Sequence, residues 1–182
     1  ESKLPNLGTS IFSQMTALAN QFEAINLSQG FPEFDAPELL KNQLNFYVQQ
    51  GVNQYSPSSG VPRLQQQIAN LVSRKYAANI DAAEQVTVTS GATEALFVAI
   101  QTIVRPDDEV IVFDPAYDSY QPAIELAGGK TVHIALHAPD YAIDWQAVRS
   151  TVSKSTRAII INTPHNPSGK ILKSHDINTL KS

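Results

Sequence analysis

Apolar residues recur at helical intervals through the first part of the chain. Ile11, Phe12, Met15, Leu18, Ala19 and Phe22 share one face of a helix expected over residues 10–23. A non-helical stretch follows and ends in Gly30, Phe31 and Pro32. A second helix is expected over residues 37–50, with Pro37 suited to the first turn and Gly51 to the C-terminal cap. After a polar loop at 53–60, Pro62 opens a third helix with Leu64, Ile68, Leu71 and Val72 on one face. From residue 85 the period changes. Val86 and Val88 alternate with polar residues up to Ser90, which predicts a short strand. An apolar helix over 92–104 closes at Arg105-Pro106. Residues 109–113 form a nearly continuous apolar run of the kind buried on both faces of a sheet. A helix is expected over 117–127, a strand over 130–136, a helix capped by Asp144 to about 152, and a strand over 157–161. A last helix begins near Ser174.

Strands thus alternate with helices through the second half, joined by short loops. This predicts an α/β fold: a mostly parallel sheet with helices on both faces, preceded by an N-terminal helical segment. Ligands of such sheets sit beyond the carboxyl ends of the strands. Residues 90–93, 114–117 and 162–169 all fall there. A proline-rich stretch at 31–36 marks a soft boundary. No internal repeat and no low-complexity tract interrupts the pattern.

Composition narrows the function classes. The 182 residues suffice for one domain with a substantial core. Charged residues are 16% and hydrophobic ones 42%, which argues against disorder. The net charge of −4, with no basic stripe, argues against a general nucleic-acid binder. The absence of Cys removes disulfides, Cys-based zinc sites and thiol nucleophiles. No apolar run approaches the roughly 20 residues that span a bilayer. No signal pattern opens the sequence, so a cytoplasmic location is expected and the Asn26-Leu27-Ser28 sequon is read as chance.

Three segments carry candidate chemistry. Ser90-Gly91-Ala92-Thr93-Glu94 sits at a strand-to-helix turn, where backbone N–H groups and two hydroxyls can cradle a phosphate. An ordinary capped turn has the same look. No Gly-x-Gly-x-x-Gly is present, and Gly129-Lys130-Thr131 imitates a P-loop only in part, since Lys130 leads into a strand. Tyr117, just past a strand end, can stack on a flat heterocycle or serve as a half-buried core residue. In residues 162–170, two Pro, a Gly and two Asn fix a turn that can aim the neutral amide of Asn166 inward. His133 and His137 lack a carboxylate at metal-like spacing, so no metal site is expected.

Asn26-Leu27-Ser28-Gln29-Gly30-Phe31-Pro32, Asn53-Gln54-Tyr55-Ser56-Pro57, Ser90-Gly91-Ala92-Thr93-Glu94-Ala95, Asp114-Pro115-Ala116-Tyr117-Asp118-Ser119-Tyr120 and Asn162-Thr163-Pro164-His165-Asn166-Pro167-Ser168-Gly169 occur in this order. Together they make the chain similar to the fold-type I aminotransferases that use pyridoxal 5′-phosphate, in the kynurenine, glutamine and methionine branch. The resemblance covers nearly the whole chain. It implies transfer of an amino group between an α-amino acid of methionine, glutamine, kynurenine or aromatic type and an α-keto acid, through a Schiff base with the cofactor. It assigns the cofactor phosphate to Gly91, Ala92 and Thr93, ring stacking to Tyr117, and the ring's phenolic oxygen and the substrate carboxylate to Asn166. Gly30 matches a position lining the substrate pocket, and Phe12 and Phe31 are further candidates to line it. Tyr55 matches a residue that reaches the phosphate of the neighbouring subunit, which implies a homodimer.

Members of that family are about twice this long. The resemblance therefore implies an N-terminal half, with residues 1–35 as an arm and small-domain segment and 36–182 as the first part of the cofactor-binding domain. The Schiff-base lysine is expected beyond it. Ser153-Lys154 imitates that lysine's setting but precedes the Asn166 loop, and Lys130 and Lys170 are the lysines expected nearest a pocket edge. The chain alone is expected to be inactive. A same-fold C–S β-lyase and a non-catalytic fragment are the alternatives.

Overall fold

The computed structural model describes residues 2–5, 7–30 and 32–181. They divide into two compact units, one of residues 9–89 and one of residues 90–181 together with the described residues up to Gly8. The boundary expected at 35/36 falls inside the first unit.

The first unit is helical. Its elements are α1 (Ile11–Gln21), α2 (Glu38–Gln49), α3 (Pro62–Tyr76) and the single turn α4 (Ala82–Gln85). Ser10 caps α1 by accepting the Ser13 N–H at 3.3 Å. Pro62 occupies the first position of α3, where its missing N–H has no intrahelical partner to lose. Asp81 caps α4 through the N–H groups of Ala83 and Glu84. The apolar stripe of α1 is predicted correctly in period, yet Ile11, Met15, Leu18 and Phe22 stay exposed.

The strand expected over 86–90 is not formed as part of a sheet. Its backbone is extended at Val86 but is satisfied by other groups. The Gln65 side-chain amide donates to the Val86 carbonyl at 2.6 Å, and the Val88 N–H donates to the Ser59 carbonyl at 2.9 Å. Gln65 is buried by this bond, although glutamine ordinarily prefers the surface.

The second unit holds the sheet. Strand β1 (Glu109–Asp114) lies between β2 (Lys130–Ala135) and β3 (Thr156–Ile159), and both pairings are parallel. Alternation along β1 divides the core. Val110 and Val112 pack with Ile100 of α5 (Gly91–Ile103), with Val104 just after it, and with Tyr120, Ala123 and Ile124 of α6 (Tyr120–Leu126). Ile111 and Phe113 face the other way, against Ile134, Leu136 and Val148, the last from α7 (Trp145–Thr151). Helices on both faces thus match the expectation. Helix α6 starts three residues later than predicted, because residues 118 and 119 form a turn.

Helix α8 (Ser174–Lys181) is tied to the unit through a buried carboxylate. The Trp145 indole N–H donates to Asp176 Oδ1 at 2.9 Å, and the Lys173 N–H donates to Oδ2 at 2.8 Å. These two donors, the indole first, hold the Asp176 carboxyl below the usual carboxylate range. Such a group stabilises the fold above its unfolded pKa, and the contribution is lost as pH falls through the folded value. Asp176→Ala in the full-length protein should therefore cost about 1.5–3 kcal/mol near neutral pH, as expected for hydrogen bonds to a charged group. In urea titrations the difference from the parent should shrink as the solution is acidified below about pH 4.

Candidate functional site

Parallel pairing places the carboxyl ends of all three strands, Asp114, Ala135 and Ile159, at one edge. Helix α5 runs opposite to them. Arg157 Nε, at the start of β3, donates to the Ile103 carbonyl at the end of α5 at 2.7 Å. The 13 residues of α5 span about 20 Å, so its first turn lies toward the carboxyl edge. Leu96, Ala116 and Tyr117 pack there against the same core cluster.

Gly91, Ala92 and Thr93, the expected phosphate cradle, form that exposed first turn. Gly91 has φ +82°, a conformation that other L-residues rarely adopt, and open space where a Cβ would stand. The Glu94 carboxylate folds back and accepts the Ser90 N–H. A helix N-terminus favours such negative charge through its unpaired N–H groups and dipole.

Tyr117 is half-buried, three residues past β1. Its ring meets that of Tyr120 edge-on, with centroids 5.8 Å apart and planes at 67°. Tyr120 is buried, and that burial first, then the neighbouring Tyr117, raises its phenol above the ordinary value. Tyr120 also lines a cleft together with Asn166, His165 and Lys170. The tyrosine pair therefore links the Tyr117 surface to the Asn166 loop.

The loop after β3 is closed by its own hydrogen bonds. The Leu172 N–H donates to Thr163 Oγ1 at 3.1 Å, the His165 N–H to the Lys170 carbonyl at 2.8 Å, and the Gly169 N–H to the His165 carbonyl at 2.7 Å. Asn166 is exposed at the tip, and its side-chain amide has no hydrogen bond among the described residues. Its freedom leaves both donors available to an oxyanion.

The sequence motifs contained His165 and Tyr120 without assigning them a role. The three-residue interval between Tyr117 and Tyr120 was the available signal for the ring pair. Another pair at this edge is His133 Nδ1 with Asp114 Oδ2, 2.9 Å apart on adjacent strands. No group of three His, Asp or Glu among the described residues could hold a metal ion.

Two lysines fall away from this edge. Lys130 opens β2 and pairs with Asp107 at 3.0 Å, so the expectation of a pocket position for it is corrected. Lys154 lies in the turn before β3, also at the amino edge. In the first unit, Tyr55 is fully exposed and Gly30 has nothing within 4 Å of a Cβ position. Phe12 is half-buried on α1, and Phe31 lies outside the described residues.

Comparison with known proteins bears on this arrangement. Residues 23–182 match the family model described as aminotransferase class I and II. The chain is 52% identical over 180 residues to a methionine aminotransferase of Escherichia coli, covering 99% of this chain and 47% of that protein. It is 38% identical over 170 residues to a probable kynurenine–oxoglutarate transaminase of Saccharomyces cerevisiae, covering 87% of this chain and 38% of the relative. The crystal structure of YbdL from E. coli, identified there as having a methionine aminotransferase function, superposes with a TM-score of 0.94 at 52% identity, over 99% of this chain and 47% of the other. The chain thus spans less than half the length of these relatives.

The ring pair sets a measurable coupling. Edge-to-face aromatic pairs contribute about 0.5–1.5 kcal/mol beyond their buried area. A double-mutant cycle of Tyr117→Ala and Tyr120→Ala, read by urea unfolding of the full-length protein, should return a coupling of that size. Tyr120→Ala alone should cost about 3–5 kcal/mol, as for other buried aromatics, and Tyr117→Ala less.

Proposed function

The chain belongs to the aminotransferase class I and II family, and we propose that the intact protein moves an amino group between an α-amino acid and an α-keto acid. The strongest support is the meeting of three features at one sheet edge: the α5 N-terminus, the Tyr117 ring and the free Asn166 amide. The 52% identity to the E. coli methionine aminotransferase favours a methionine-type amino acid as donor, with glutamine, kynurenine and aromatic amino acids as the other members of the expected range. The work would take place in the cytoplasm.

The cofactor of this family is pyridoxal 5′-phosphate, and the residues present suit it. When bound, it supplies an electron sink for negative charge at the substrate Cα. Gly91, Ala92 and Thr93 would hold its phosphate on their N–H groups and the Thr93 hydroxyl. The empty space beside Gly91 lets an anion approach the backbone. Tyr117 would lie against the ring, held by Tyr120. Asn166 would donate to the ring's phenolic oxygen without taking up its proton, and would stand beside the substrate carboxylate. Gly30 would line the substrate pocket. Tyr55 would serve the phosphate of the neighbouring subunit of a homodimer, a use suited to a side chain with no packing of its own. Residues 1–35 would form an arm and small-domain segment, and 36–182 the first part of the cofactor-binding domain.

No lysine of residues 1–182 is proposed to bond the cofactor. Lys130 and Lys154 stand at the amino edge of the sheet. Lys170 belongs to the Asn166 turn itself and lacks the Ser-x-x-Lys setting.

Asn166→Ala in the full-length holoenzyme should shift the pH midpoint of the cofactor's absorbance change. A hydrogen bond to a charged acceptor contributes about 1.5–3 kcal/mol, or roughly one to two pH units. An unmoved midpoint would rule out the assigned contact.

The shared site gives a second test. Tyr55→Phe should weaken cofactor binding about tenfold or more if one charge-assisted hydrogen bond is lost. Mixing Tyr55→Phe with Asn166→Ala subunits should restore activity, because each mixed dimer contains one site free of both lesions. Without restoration, Tyr55 serves its own subunit or none.

A further inference from the structure

Asn166 gains its aim from neighbours within the same turn. An asparagine amide at a loop tip has two side-chain torsions to fix, and its backbone must be held first. The bonds across the turn pair residue 163 with 172 and residue 165 with 170, leaving 166–169 as the tip. Gly169 closes this tip with φ +73°, which an L-residue with a side chain rarely adopts.

One side chain completes the closure. His165 is buried, unlike the exposed residues on either side of it. Its Nδ1 lies 2.7 Å from Ser168 Oγ. The same Oγ accepts the Lys170 N–H at 3.3 Å. Ser168 therefore joins the buried imidazole to the returning strand of the turn, and Asn166 and Pro167 are spanned between two fixed points. Because Nδ1 is engaged inside the loop, His165 is suited to holding the turn.

Resting on the aminotransferase reading above, we propose that His165 and Ser168 form a clamp that positions the Asn166 amide, with His165 a positioning residue and not a group that touches the cofactor. The clamp acts through the backbone of residues 165–169. A displacement of about 1 Å in a group that must meet a reacting ligand can cost on the order of a hundredfold in rate, so the clamp matters beyond its own stability.

The test uses full-length protein with and without cofactor, and the variants His165→Ala, His165→Asn, Ser168→Ala and Asn166→Ala. In the apoprotein, His165→Ala and Ser168→Ala should speed hydrogen exchange at the Gly169 and Lys170 amides about tenfold, the loss expected for one hydrogen bond. In the holoenzyme, both should shift the pH midpoint of the cofactor's absorbance in the direction of Asn166→Ala, and add little when combined with it. His165→Asn should restore the parent midpoint, because its amide can bond Ser168 from near the Nδ1 position. A merely structural role would leave the midpoint unchanged. If Asn166→Ala moves the midpoint while His165→Ala and Ser168→Ala do not, the clamp is overturned and the functional reading survives. If Asn166→Ala moves nothing, the functional reading fails, and the claim that His165 positions Asn166 for the cofactor fails with it. Should His165→Ala not fold, Ser168→Ala carries the same comparison, since it leaves the buried imidazole in place.

Discussion

Burial of β1 on both faces determines the direction of everything around it. Val110, Ile111, Val112 and Phe113 are all buried, and each such side chain contributes roughly 1.5–3 kcal/mol relative to exposure. A strand covered twice needs helices on both sides, and α5 and α6 on one face with α7 on the other provide them. Parallel neighbours then follow, because each strand returns through a helix. The same geometry sends three strand ends, and the chain that leaves them, to a single edge.

The two edges of the sheet differ in how their polar groups are used. At the amino edge, charges and hydroxyls answer one another. Lys130 pairs with Asp107, Arg157 lies 3.7 Å from Asp108, and Ser153 Oγ is 2.6 Å from Glu109 Oε2. These pairs contribute little stability individually, but they engage Lys130, Arg157 and Glu109 at that edge. The carboxyl edge has pairs as well, including His133 with Asp114. It also presents a helix N-terminus, an edge-on tyrosine pair and an amide with no partner among the described residues. That difference, more than any one residue, locates the candidate site.

Period and punctuation made most elements legible. The helices α1 and α3 follow apolar spacing, α5 is an apolar run, and Pro37 and the Asp144 cap mark the starts of α2 and α7. The expected strand at 86–90 failed for a definite reason: alternation of Val86 and Val88 says which side chains turn inward, but not which backbone answers theirs. A buried Gln65 amide and the Ser59 carbonyl answer it, and no local pattern announces either. Tyr117 and Asn166 were legible as site candidates because each follows a strand end. Lys130 was misplaced even though its position was readable, since a residue that opens a parallel strand lies opposite the ligand edge. The closure by His165 and Ser168 was not readable, because a three-residue interval becomes a contact only once the turn folds back.

Unsatisfied polar groups need sorting before they count toward a site. Among the described residues, two buried hydroxyls, Ser119 Oγ and Thr131 Oγ1, lack partners. Each costs about 1–3 kcal/mol of desolvation, so both look like candidates for a ligand. Thr131 is the second residue of β2, near the amino edge, and Ser119 adjoins the tyrosine pair at the other. Orphaned hydroxyls thus occur at both edges and do not discriminate between them. The Asn166 amide differs in kind: it is exposed, so leaving it unpaired costs little, and the turn beneath it is closed by five hydrogen bonds. A group that is inexpensive to leave free and closely held in place is suited to a ligand that comes and goes. Glu94 marks the α5 terminus in a complementary way, for the chain's own carboxylate already occupies the Ser90 N–H there, as the helix dipole favours.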